Sequence, residues 1–172
     1  MQKPTNTNPL QTTKFVLTMP RISNTQYFCQ KVNLPGVTIG EAMQNTPFVD
    51  LYRAGDKLSY ETFNVSFIVD EDLASYMEIH NWMKCIAFPE NFEQYRHLKA
   101  LSQFTIDSRQ PQYAEGSLIV LSNLNNPKFR FDFVQMWPTS LSGIDFSTMD
   151  TEVPTITADV TFRFAYYTMM RF

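Results

Sequence analysis

Residues 55–88, GDKLSYETFNVSFIVDEDLASYMEIHNWMKCIAF, contain the change of hydrophobic period that decides the fold. Alternate residues from Phe63 to Val69 are apolar, which predicts a strand, and a turn is expected before it at Gly55–Lys57. After residues 70–72 the apolar residues recur every three or four positions, as in an amphipathic helix. They are Leu73, Tyr76, Ile79, Met83 and Ile86. The stretch is therefore expected to form a strand and then a helix, which packs on a sheet and ends before Pro89.

Three acidic residues, Asp70, Glu71 and Asp72, stand where the strand gives way to the helix. Asp is a favoured N-cap residue, and negative side chains in the first turn interact favourably with the helix dipole. We therefore expect Asp70 to cap the helix, with Glu71 and Asp72 in its first turn. The same triplet could form a catalytic or metal-binding carboxylate cluster, but its place at a helix start explains it without either function.

The length and composition indicate one domain with a core of its own. A chain of 172 residues can bury about 70% of its unfolded surface without a metal ion or a disulfide bond. Aromatic residues make up 15% of the sequence, which favours a fold rich in β-strands. Cys29 and Cys85 do not have the spacing of metal ligands, so both are expected to be buried free thiols.

The charge pattern argues against a surface for nucleic acid or for an anionic membrane. The formal net charge is −3, and the Lys and Arg residues form no run. Phe15–Met19 is too short for the apolar core of a signal peptide, and no apolar run reaches the roughly 18 residues of a membrane span. We therefore expect a soluble, unexported protein.

The rest of the chain alternates between short strands and turns. Residues 1–13 are polar and without period, so a flexible N-terminal arm is expected to precede a single domain at 14–172. A second, shorter helix is expected at about 91–102. The fold class is therefore mostly β (α+β), an antiparallel barrel or sandwich with one main flanking helix at about 70–88. About seven strands are expected: Phe15–Met19, Tyr27–Asn33, Phe48–Ala54, Phe63–Val69, Ser117–Ser122, Lys128–Gln135 and Ile156–Tyr167.

One part of the chain carries more apolar side chains than a single domain can cover. Val37–Pro47 is expected to be a long loop, yet it contains several apolar residues, and Phe48–Ala54 is a strand with large apolar groups on both faces. A strand that is apolar on both faces needs to be covered on both faces. Because exposed apolar strands aggregate, one of the two faces is expected to be covered by another subunit. The expected subunit interface comprises Leu34, Val37, Ile39, Met43, Phe48, Val49, Leu51, Tyr52 and Arg53.

No residue pattern supplies a catalytic, metal or cofactor site. The two histidines, His80 and His97, are not at metal-ligand spacing, and His80 is expected to be packed beside the helix stripe. The sequence contains neither a phosphate-binding Gly loop nor a GxSxG elbow. In 128–133, KFRFDF, the Phe residues alternate with charged ones, which favours a core strand over a platform that stacks single-stranded bases. We expect no enzyme activity and no cofactor.

The order of short motifs resembles the tail tube proteins of T4-type contractile-tailed phages, including the tube-like initiator proteins of baseplates. The resemblance covers roughly residues 14–168, with a further local likeness at Trp137–Phe146. It rests on Val32–Gly36 (VNLPG), Ala54–Lys57 (AGDK), Phe67–Glu71 (FIVDE), His80–Trp82 (HNW), Met136–Thr139 (MWPT) and Asp159–Phe164 (DVTFRF).

The resemblance implies a structural virion protein that forms hexameric rings or a tube, the conduit through which DNA leaves the particle. The partners it implies are further copies of the chain and sheath, baseplate or terminator proteins. The resemblance also implies that DNA would pass through the pore without specific binding and that no membrane would be involved. The protein is then located in the virion tail, and in the host cytoplasm during assembly. The expected interface would join neighbouring subunits or successive rings, because rings close heterologous contacts.

Three alternatives remain open at this point. The same fold could form a baseplate initiator or adaptor ring that is present once per tail. It could also form the inner tube of a tailocin or secretion-type injection system. From a different class, the chain could be a monomeric ligand-binding β-barrel, which would need a polar-lined pocket and no large apolar edge. The sequence does not identify the residues that would face a pore.

Overall fold

The computed structural model describes residues 9–87, 90, 92–93, 96, 110–149 and 155–172. Residues 1–8 of the expected arm, most of the expected helix at 91–102, His97 and Pro89 lie outside the described residues. The described part contains two α-helices, α1 (Ser23–Tyr27) and α2 (Ala74–Ala87), and a 3-10 helix at Pro20–Ile22. Its strands are β1 (Phe15–Thr18), β2 (Cys29–Val32), β3 (Val37–Asn45), β4 (Asp50–Tyr60), β5 (Phe63–Ile68), β6 (Ala114–Leu121), β7 (Pro127–Leu141), β8 (Thr157–Arg163) and β9 (Tyr166–Arg171).

Two antiparallel sheets share the long strand β7. Its first half pairs with β6 and β9, and its second half pairs with β8. The first sheet thus has the order β1-β6-β7-β9, and the second has the order β7-β8-β5-β2. Between the halves, Gln135 has φ 54°, in the left-handed region, at the point where β7 changes partners. The sheets form a sandwich and do not close into a barrel, which selects one of the two expected architectures.

Aromatic side chains from both sheets fill the core. The predicted alternation in β5 is confirmed, because Phe63, Val65 and Phe67 are all fully buried. The ring of Phe63 lies 4.6 Å from that of Phe133, on the first sheet, and 6.3 Å from that of Phe162, its neighbour on β8. Such tilted ring pairs add to the free energy gained from burial alone. The two sheets are therefore joined through a continuous aromatic contact.

Helix α2 packs on this core through a stripe centred on Ser75, Ile79 and Trp82. The expected stripe began at Leu73, but Leu73 precedes the helix with φ 55° and is exposed. The helix starts at Ala74, so its buried face is centred on different residues. Trp82 lies 6.0 Å from the ring of Phe162, and its indole N–H donates to the carbonyl of Gln112 at 3.0 Å. This hydrogen bond allows a large amphipathic ring to be buried.

Helix α1 was not anticipated, because its residues fall between two expected strands, and Tyr27 was expected to begin the second of them. It has five residues and no side-chain cap of its own. The carboxylate of Glu78 on α2 instead accepts hydrogen bonds from the backbone N–H groups of Asn24, at 3.1 Å, and Thr25, at 3.2 Å. An acidic group at the N-terminus of a helix satisfies free donors there. The short helix is therefore stabilised by a residue more than fifty positions away.

The largest difference from expectation lies in residues 37–60. The expected loop Val37–Pro47 is wrong, because Val37–Asn45 is strand β3, and it pairs with β4 in a two-stranded ribbon separate from the sandwich. The expected turn at Gly55–Lys57 is also wrong, since these residues lie within β4. A Cβ atom on Gly55 would lie 2.5 Å from the carbonyl oxygen of Gly40. Glycine is thus required for close approach of the two strands at a bulge, and not for a turn.

The C-terminal strand is also divided. Ile156–Tyr167 was expected to be one strand, but the chain leaves β8 after Arg163 and enters β9 at Tyr166. Strand β8 belongs to the second sheet, whereas β9 pairs with the first half of β7. The continuous alternation in the sequence conceals this exchange, because both strands contribute side chains to the same core.

Candidate assembly interface

The β3–β4 ribbon exposes nearly all of its surface. Every residue of β3 is exposed, and in β4 only Gly55 and Tyr60 are partly covered. Eight strand pairs, from Val37↔Tyr60 to Asn45↔Asp50, hold the ribbon together. An isolated two-stranded ribbon is at best marginally stable in water. A ribbon of this length, with apolar groups on its surface, is therefore expected to gain stability by contact with another chain.

The nine residues of the expected interface all lie on this ribbon or directly before it. Leu34 precedes β3, three of the residues are on β3, two are in the turn, and three are on β4. Met43 pairs with Tyr52 on one face, while Leu51, opposite Gln44, lies on the other. Large apolar side chains thus occur on both faces, as the sequence indicated. The structure places the nine residues along the length of the ribbon and the segment before it, from Leu34 near the base to Phe48 at the tip: Leu34, Val37, Ile39, Met43, Phe48, Val49, Leu51, Tyr52 and Arg53.

Leu58 is an exposed apolar residue of the ribbon that was missed. It pairs with Ile39, so the two enlarge the apolar surface toward the base of the ribbon. Leu58 was not included in the expected interface, because the expected strand ended at Ala54 and a turn was expected at Gly55–Lys57. The signal in the sequence was that Leu58 and Tyr60 alternate with polar residues after Gly55. A glycine at a bulge does not end the strand in which it lies.

The tip of the ribbon presents Phe48 to solvent. The backbone N–H of Val49 donates to the hydroxyl of Thr46 at 3.3 Å, which closes the turn across Pro47 and Phe48. The Phe48 side chain is 98% exposed, a value far above that of the aromatic residues in the core. A large aromatic ring that is exposed at the end of a hydrogen-bonded turn is a candidate anchor residue for a protein–protein interface.

The acidic triplet lies elsewhere and has a local role. The Asp70 carboxylate accepts hydrogen bonds from the backbone N–H groups of Ala74, at 3.0 Å, and Ser75, at 2.8 Å, and from the Ser75 hydroxyl. These bonds, the Ser75 hydroxyl first, lower the pKa of Asp70. Glu71 and Asp72 are exposed in the turn before α2, which starts later than the expected position. The triplet thus lies at the junction between β5 and α2.

We expect Asp70→Ala to lower the urea midpoint of unfolding at pH 7. The folded-state pKa of Asp70 is depressed, so its stabilisation is present above the unfolded pKa of about 3.9. That stabilisation is lost as the pH falls through the folded-state pKa. The difference between parent and variant should therefore shrink in strongly acidic buffer. Glu71→Ala, which removes the neighbouring exposed carboxylate, is the control, and an equal loss in both variants would contradict the capping role.

The remaining reactive side chains do not form a site within the described residues. His80, expected to be packed, is instead exposed on α2. Cys29 and Cys85 are half-buried free thiols, and burial raises the pKa of Cys29 to about 11. Across the described ranges, no group of three His, Cys, Asp or Glu residues is placed to hold a metal ion. Nor does any helix in those ranges have the length and apolar character to span a bilayer.

Two comparisons of the sequence with known proteins both find proteins of phage tail tubes. The sequence model of a family described as phage tail tube protein matches residues 10–170. The tail tube terminator protein of Enterobacteria phage T4 is 26% identical over 170 residues, covering 93% of this chain and 88% of that protein.

Solved structures agree with the fold. A chain in the baseplate of the anti-feeding prophage has a TM-score of 0.64 at 12% identity, with 96% of this chain and 98% of that chain covered. A chain in the tube-terminating cap of the same particle has a TM-score of 0.58 at 12% identity, with 99% and 96% covered. At these identities the likeness concerns the fold alone.

Proposed function

Because this chain belongs to the phage tail tube protein family, we propose that it is a structural protein that forms a ring at the end of a contractile tail tube. The T4 relative, which covers almost the whole chain, is a tail tube terminator, and this favours a terminator ring over the repeated tube subunit. The ring would be a hexamer that conducts DNA without catalysing a reaction. It would reside in the virion tail, in contact with tube and sheath proteins.

The exposed β3–β4 ribbon is the observation that carries this proposal. Apart from Tyr60 at its base, which packs against the core, its large apolar side chains are exposed and lie outside the sandwich. A surface of this kind that contacts a different surface of the next copy generates a closed ring when the rotation per copy closes. A monomeric ligand-binding barrel is disfavoured, because its sheets would close and would leave no such ribbon.

The second sheet supplies a candidate for the pore wall. Its buried face lies in the core, where Phe162 on β8 contacts Trp82 on α2. Its opposite face carries polar groups: the Ser66 hydroxyl donates to the Asp159 carboxylate, and Arg163 is exposed on the same face, four residues farther along β8. A polar wall with both signs of charge would let DNA slide, because it lacks the basic run that holds phosphates. Helix α2 would then support the wall from the outside.

Assembly of the purified protein tests the proposal. Sedimentation velocity and negative-stain microscopy are expected to show single rings that do not elongate. Addition of the rings to growing tubes of the same tail should stop elongation, whereas a baseplate initiator would start it. Unlimited tubes formed by the protein alone would identify the repeated tube subunit instead. Monomers alone at high concentration would contradict ring formation.

A further inference from the structure

We propose that the ribbon tip of one copy inserts Phe48 into a cavity beside the β6–β7 turn of a second copy. This inference rests on the proposed ring or tube assembly and identifies the surface that receives the ribbon. The cavity has a volume of about 420 Å³, within the range of about 300–1,000 Å³ that is typical of ligand pockets. Its apolar lining includes Leu10, Leu34, Val120, Leu124, Phe129 and Phe131.

The cavity lining has the chemistry expected of a receptor for an aromatic anchor. Leu124, in the turn between β6 and β7, is 83% exposed, and Leu10, which also lines the cavity, is 68% exposed. Exposed leucines around a concave apolar surface are costly in water and are expected to be covered by a partner. Insertion of a phenyl ring would remove both the ring and these leucines from solvent.

The tip of the same copy cannot reach this cavity. Leu34 lines the cavity and lies just before the first residue of β3, at the base of the ribbon. Strand β3 has nine residues, so at about 3.3 Å per residue the tip stands roughly 30 Å from the base. The occupant must therefore come from a second copy. When the tip of each copy enters the cavity of the next copy, without the reverse insertion between the same two copies, the contact is heterologous, the type that generates rings and stacks.

Charge complementarity favours the same pairing. Asp50 is the first residue of β4, two positions after Phe48. Lys128 lines the cavity, and Lys14 is held at the same turn by hydrogen bonds to the Asn123 carbonyl, at 3.0 Å, and the Asn125 side-chain oxygen, at 2.7 Å. None of the described lining residues is acidic. An incoming Asp50 would face Lys128 and no acidic side chain among the described lining residues, which aids association and fixes the register.

Photo-cross-linking in the assembled protein tests the location. Phe48 is replaced by p-benzoylphenylalanine, which retains an aromatic ring, and the cross-linked peptides are identified by mass spectrometry after irradiation of assembled rings. We expect intermolecular cross-links to the peptide 117–131. Rings that form normally but cross-link at another position would overturn this inference and leave the proposed function intact. Absence of rings in the parent protein would overturn both.

A charge exchange tests the pairing at the rim. Asp50→Lys and Lys128→Asp should each weaken assembly by roughly tenfold, because each places like charges together. The double variant should recover most of the parent affinity. Asp56→Lys is the matched control, since Asp56 is a carboxylate on the same strand but farther from the tip. Failure of the double variant to recover, with both single variants impaired, would contradict the pairing.

Discussion

Phe48→Asp and Leu51→Asp are each expected to abolish assembly while leaving the subunit folded. Both side chains are exposed on the β3–β4 ribbon, Phe48 almost completely, and neither belongs to the core. Truncating a buried anchor at an interface costs about 2–4 kcal/mol, and an unpaired carboxylate there adds a desolvation penalty. Each interface of a ring would be weakened by that amount, so the rings should dissociate at concentrations at which the parent protein is assembled.

Two measurements on the same samples check this expectation. Sedimentation velocity should show monomers of both variants, and far-ultraviolet circular dichroism should match that of the dissociated parent. Phe146→Asp is the matched control, because Phe146 is an exposed phenylalanine that lies beside the junction between β5 and α2 and not on the ribbon. If the ribbon variants instead lose their circular dichroism signal, the ribbon contributes to the stability of its own subunit and the interface assignment fails.

Phe63→Ala is expected to destabilise the subunit by about 3–5 kcal/mol. Phe63 is fully buried, and its ring contacts those of Phe133 and Phe162, so truncation leaves a cavity where the two sheets meet. For a chain of this size the melting temperature should fall by roughly 6–20 °C. Urea unfolding of dilute, dissociated protein gives the free energy directly.

The same substitution at the ribbon tip provides the control for core stability. Phe48→Ala removes an identical side chain from an exposed position, so it should change subunit stability by less than about 0.5 kcal/mol. Its effect should be seen in assembly alone. A loss below about 1 kcal/mol for Phe63→Ala would show that the aromatic contact between the sheets is not central to the fold.

The strand and helix of residues 63–87 were predictable because burial imposes a local period. Phe63, Val65 and Phe67 alternate since one face of β5 is in the core, and the change to a helical period follows at the acidic turn. The apolar excess of residues 34–53 could also be recognised, because it depends on composition and not on pairing. The core and the candidate interface were thus visible in part from side-chain chemistry alone.

Strand β3 could not be predicted in the same way. The bulge at Gly40 and the charged Glu41 interrupt the alternation of its few apolar residues, so the sequence does not distinguish it from a loop. It exists because β4 pairs with it, and that pairing needs two glycines, Gly40 and Gly55, in close contact across the ribbon. Helix α1 could not be predicted for a similar reason, because the carboxylate that accepts from its N-terminal N–H groups belongs to Glu78 on another helix.

The sequence by itself determined the β-rich class, the strand–helix unit and the surplus of apolar side chains, because each depends on neighbours along the chain. The tertiary structure alone decided that these apolar residues project on a separate ribbon and that β7 divides between two sheets. It also decided that a cavity lies at the turn after β6. These features depend on backbone hydrogen bonds and contacts between distant segments, and such contacts leave no periodic pattern in the residues that make them.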